Sequence, residues 1–82
     1  MTTEEKINMF IAFLKNELYE QRISVADFAK KMNVQRNGVY KWLKKENIMG
    51  LDKYFRALEV LGVTEQDILD FNSQQNGNTN NK

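Results

Sequence analysis

The stretch S-V-A-D-F-A-K-K-M-N-V-Q-R-N-G-V-Y-K-W-L-K-K, Ser24 to Lys45, decides the fold. Phe28, Ala29 and Met32 fall at i, i+1 and i+4 and give one apolar face to a first short helix. Val39, Trp42 and Leu43 repeat that spacing on a second. Between the two lies Met32-Asn33-Val34, where Asn tolerates the left-handed conformation that a helix exit often needs. Ala29 is small where the two helices must cross closely. The reading is a helix-turn-helix over 24–45.

Working outward toward the N-terminus, Thr2 or Thr3 followed by Glu4 and Glu5 supplies a hydroxyl cap and acids near the positive end of a helix dipole. Ile7, Phe10, Ile11, Leu14 and Leu18 keep one face, which predicts a first helix over about 4–21. Met9 and Phe13 flank that stripe. They fit either a broad buried face or a self-association patch. Ser24 is the expected N-cap of the second helix, with Asp27 completing a capping-box-like arrangement, and that helix should end at Asn33. The third is expected from about Gln35 to Lys44 or Lys45. Gly38 inside it costs about 1 kcal/mol relative to Ala, so its backbone is expected to lie close to something, either a neighbouring helix or a ligand.

Toward the C-terminus, Glu46 to Gly50 reads as a loop. Leu51, Tyr54, Phe55, Leu58 and Leu61 then follow at helical spacing, closed by Gly62 as a C-cap. Thr64 to Asp67 caps a last helix whose Ile68, Leu69 and Phe71 are expected on the core. From Asn72 the sequence N-S-Q-Q-N-G-N-T-N-N-K has no apolar residue and predicts a disordered tail over 72–82. The expected fold is all-α: five helices in one domain over 1–71, followed by that tail.

Composition narrows the function. The 82 residues contain no Cys and no His, which removes disulfides, thiolate metal sites and the commonest general base together. Carboxylates are present, but Glu17 and Glu20 at i and i+3 fit a solvated surface, and no glycine-rich phosphate loop exists. An enzyme is the least favoured reading, and no cofactor, metal or small-molecule ligand is expected. No apolar run reaches membrane-span length and the start lacks a signal pattern, so the expectation is a cytoplasmic protein with no membrane partner. The net charge of +1 conceals a division. From Lys30 to Arg56 eight basic residues face two acids, a net +6, while the remainder has four basic residues and nine acids, a net −5. Such polarity attracts and orients a phosphate backbone.

Over residues 4–71 the chain resembles the lambda-repressor-like helix-turn-helix family, which includes phage repressors, Cro-type proteins and the xenobiotic-response-element-type bacterial regulators. The motif window is Val25 to Lys44, with Ala29 at the small fifth position and Val39 and Trp42 at buried positions. Gly50 to Val63, G-L-D-K-Y-F-R-A-L-E-V-L-G-V, looks like the family's fourth helix with its closing Leu-Gly-Val. Three positions depart from the pattern: Val25 replaces a frequent Gln, Asn33 the usual turn Gly, and Leu43 a frequent Glu.

The resemblance implies a sequence-specific DNA-binding transcription regulator with the third helix in the major groove. Carried over by position, the base-facing residues are Gln35, Arg36, Asn37, Tyr40 and Lys41. Arg36 is suited to guanine and Asn37 to adenine. Phosphate contacts fall to the backbone near Ser24 and Val25, and to Lys44, Lys45 and Asn47. One such helix reads few base pairs, so a homodimer on a two-fold operator is expected. The competing reading is a helix-turn-helix module that binds a protein partner through the first helix.

Overall fold

The computed structural model describes the backbone of residues 2–80 and the side chains of residues 2–74. Among the described residues the chain forms α1 (Thr3–Glu20), α2 (Val25–Met32), α3 (Arg36–Leu43), α4 (Leu51–Leu61) and α5 (Glu65–Asn80), with no strand. The all-α architecture therefore matches the periodicity. α2 packs on α3 and α4, and α1 packs on α5 and α3.

Hydroxyl side chains start three of the helices. The Thr2 hydroxyl accepts from the Glu5 N–H at 3.1 Å, and the Glu5 carboxylate accepts from the Thr2 N–H at 2.7 Å, a complete capping box. Thr64 and Asp67 form the same reciprocal pair before α5. At α2 only half of the expected box is present: Ser24 Oγ accepts from the Asp27 N–H at 3.0 Å. The Asp27 carboxylate does not reach back to the Ser24 N–H, although Asp67 makes that return bond at α5.

All four exits from α1 to α4 share one geometry. A left-handed residue follows each helix, with φ of 58° at Arg22, 60° at Asn33, 62° at Lys45 and 71° at Gly62. The N–H of the next residue then donates to a carbonyl five positions back: Ile23 to Leu18, Val34 to Ala29, Glu46 to Lys41 and Val63 to Leu58. These bonds satisfy carbonyls that a helix end otherwise leaves open. Ile23, Val34 and Val63 also turn an apolar side chain onto the core.

That core is built on Phe10, Leu14, Phe28, Met32, Val39, Met49 and Tyr54, all with under 2 % exposure. Phe10 stands edge-on to Tyr54, ring centroids 5.2 Å apart, a favoured aromatic arrangement. Met49, read as loop, anchors the segment between α3 and α4. Several side chains differ from expectation. Phe13 is buried, with its ring 5.7 Å from that of Phe71 on α5, and Met9 is half-buried against the core. The flank of α1 is thus covered by α5, which removes Phe13 from any self-association patch. On α4, Leu51 and Phe55 are exposed because Tyr54, Ala57, Leu58 and Leu61 already fill the inward face. Leu69 is likewise exposed on α5, while Ile68 is buried.

α5 continues past Phe71, its last residue packed on the core, to Asn80. Residues 72–74, placed in the expected tail, are therefore helical; a helix once nucleated propagates at little cost. The rest of that tail call falls on 75–82, where the side chains of 75–80 and the whole of 81–82 lie outside the described residues.

A polar contact joins three helices over this core. Glu65 accepts from the Tyr54 hydroxyl at 2.9 Å, and Lys6 Nζ lies 3.1 Å from the same oxygen. The Lys6 ammonium and the Tyr54 hydroxyl hold the Glu65 carboxyl below its ordinary pKa, while burial, then Glu65, raises that of Tyr54. A lowered carboxyl pKa gives stability that is present above the ordinary carboxylate range and lost as pH falls through the folded value. Glu65 is half-exposed, so solvent screening limits its worth. Glu65→Gln should lower unfolding free energy by about 1 kcal/mol or less at neutral pH, and urea titrations should show that difference vanish in acid.

Candidate nucleic-acid interface

α3 has two faces with different tasks. Val39 is fully buried and Trp42 is 9 % exposed, which fixes the helix against the core. On the other side Arg36, Asn37, Tyr40, Lys41 and, at the C-cap, Lys44 are all exposed. Their spacing of three and four residues makes them one stripe. Gln35, the N-cap, is exposed at the head of the stripe and its side chain makes no capping bond. The first turn of α3 carries no acid. Its outward N–H groups consequently keep their partial positive charge beside the Arg36 guanidinium.

The bend beneath this stripe takes the conformation predicted for it. Asn33 is left-handed at φ 60°, ψ 44°, and its N–H donates to Lys30 at 3.1 Å. A shallow open cleft at the bend is lined by Ala26, Lys30 and Arg36, among others. Lys30 was missed as a site candidate; its only sequence signal was membership of the basic segment.

The proposed phosphate residues separate into two groups. Ser24 is exposed at the head of α2, where its hydroxyl is engaged by Asp27, leaving the Val25 and Ala26 N–H groups without a side-chain cap. Val25 itself is half-buried against the core, so only its backbone can serve an anion. Ser24 also borders an open cleft with Tyr19, Glu20 and Arg22. Arg22 and Tyr19 are exposed there and were passed over, because the helix stripe assigns Tyr19 no role and Arg22 falls outside the basic segment. Lys45 and Asn47 lie past the far end of α3, where with Trp42 and Ile48 they border a cleft against α1. The structure therefore does not gather Lys45 and Asn47 onto the stripe itself.

Electrostatically, most of the basic stretch is unneutralised. Among the described residues the ion pairs are Lys6–Glu65 and a long Lys53–Asp52 contact of 4.0 Å. Lys30, Lys31, Arg36, Lys41, Lys44, Lys45 and Arg56 are exposed and take part in neither. Among the described residues, no helix is long and apolar enough to cross a membrane. No family model matches the chain, and comparisons with curated proteins and with solved structures found no match.

Gly38 resolves one open alternative. A Cβ placed on it would meet no atom within 4 Å. Packing by a neighbouring helix therefore does not explain the glycine. Lys45 presents the opposite case, a side chain kept where the left-handed backbone costs a non-glycine residue roughly 1 kcal/mol. Gly38→Ala and Lys45→Gly should each raise unfolding free energy by up to about 1 kcal/mol, read from the urea midpoint at unchanged slope.

Proposed function

We propose that this chain is a sequence-specific DNA-binding transcription regulator of phage or mobile-element, repressor/Cro-like type. It inserts α3 into the major groove and acts as a dimer on a two-fold operator. One observation carries the reading: α3 is locked by Val39 and Trp42 on one side and offers Arg36, Asn37, Tyr40 and Lys41, exposed, on the other. A stripe mixing a guanidinium, an amide, a phenol and an ammonium suits base edges and phosphates together. Arg36 forks onto guanine O6 and N7, and Asn37 pairs with adenine N6 and N7. Lys41 lies one turn on, and Tyr40 packs on a thymine methyl or donates to a phosphate. The backbone at Ser24 and Val25, with Lys44, Lys45 and Asn47, positions the duplex.

Gly38 supports the same reading. Its position between Asn37 and Val39, with open space where a Cβ would project, lets a groove wall approach the α3 backbone. The rival, a protein-binding module docking through α1, loses part of its motive because α5 covers Phe13.

Fluorescence anisotropy with duplexes from around the protein's own gene, against random duplex, tests the proposal. A native fragment should bind tightly, with affinity falling steeply as salt rises. Arg36→Ala should cost about 1–3 kcal/mol on that fragment and little on random DNA. Lys44→Ala should weaken both pools equally and flatten the salt slope by about one unit. Gly38→Ala and Lys45→Gly, although more stable, should bind more weakly. Absence of binding to either pool at low salt overturns the proposal.

A further inference from the structure

The largest exposed apolar side chains outside the α3 stripe include three neighbours in the chain: Ile48 at 64 %, Leu51 at 48 % and Phe55 at 51 % exposed. Leu51 and Phe55 are one helical turn apart on α4, and Ile48 precedes them in the approach to the helix. The Phe55 ring is set edge-on to Tyr54, whose own side chain is buried, with centroids 5.2 Å apart. Beside this strip, on the same flank of α4, stand Asp52 and Arg56, both exposed. Asp52 has only the long 4.0 Å contact with Lys53 and is 82 % exposed.

We propose that this strip of α4 is a self-association surface and that its occupant is a second copy of this chain, paired antiparallel about a two-fold axis. The argument is self-complementarity. In an antiparallel pair related by a two-fold axis, residues on one flank meet the same flank of the partner at mirrored heights. An axis level with residue 54 places Asp52 and Arg56, about 6 Å apart along the helix, opposite the partner's Arg56 and Asp52. The same axis brings Phe55 against the partner's Phe55, with Leu51 beside it. Both charge pairs and the apolar contact are thus satisfied by one operation. DNA does not fit the strip, since a phosphate backbone gains nothing from Leu51 or Phe55 and the flanking Asp52 and Arg56 together offer it no net charge.

The size of the strip sets the strength. Covering Leu51 and Phe55 removes on the order of 200 Å² per copy, against roughly 800 Å² per partner in a stable complex. The pair is therefore weak alone. The inference deepens the operator-binding reading, which requires a second copy. Its test is nevertheless made without DNA.

Sedimentation equilibrium of the full chain up to about 1 mM should show a reversible monomer–dimer equilibrium. Phe55→Glu, at an exposed position, should weaken it at least about tenfold with an unchanged far-UV spectrum. Asp52→Arg should also weaken it, and the double variant Asp52→Arg/Arg56→Asp should recover most of the loss, because the swap preserves complementarity across the axis. A chain that stays monomeric, a dimer indifferent to Phe55→Glu, or a double variant no better than the single one overturns the proposal. Anisotropy on a single half-site duplex keeps the two readings apart. Phe55→Glu should leave that affinity unchanged, whereas failure of every variant to bind DNA strikes at the operator reading alone.

Discussion

What α3 presents to its surroundings depends on the left-handed turn at Asn33. The Val34 N–H, donating to Ala29, folds the chain back so that Val39 and Trp42 meet the core and Val34 seals the joint. Rotating α3 by one residue would swing it about 100° and bury part of the basic stripe. No buried polar side chain would then be at hand to receive it, since among the described residues the buried side chains are all hydrophobic. A charged group there would pay heavily for desolvation. The register of the candidate interface is therefore held by one backbone conformation and by the apolar surface behind it.

Much of this was legible in the sequence because it follows from periodicity and local capping. The Thr2 box, the Asn33 exit, Gly62 and the inward faces of α2 and α3 are all set by residues within a turn of one another. What was misread depends on contacts distant in the chain. Phe13 lies on the flank of its helix stripe, and only the docking of α5 through Phe71 buries it. Leu51 and Phe55 have the spacing of core residues, yet Tyr54 and Ala57 occupy the inward positions first. The left-handed exits at Arg22 and Lys45 left no signal, since neither residue favours that conformation and the helix geometry around them imposes it. At the candidate site the sequence named the stripe of α3 by position, but could not show that Lys45 and Asn47 sit beyond its end, or that Lys30 borders the bend.

The distribution of charge has a similar logic. Most acids lie on α1 and α5 or at helix starts, where Glu5 and Asp67 accept from cap N–H groups and Glu65 holds the contact with Lys6 and Tyr54. Among the described residues the cations of α2 and α3 take part in no ion pair. A face assembled in this way carries its potential into solvent, to be screened only by salt.

Trp42 gives the molecule an internal witness. It is the single tryptophan of the chain and stands almost wholly out of water, on the reverse of the helix that bears Arg36 and Asn37. Its emission is governed chiefly by the apolar core, while its edge also borders the cleft that holds Lys45 and Asn47. A red shift then signals loss of the fold, read with no label added.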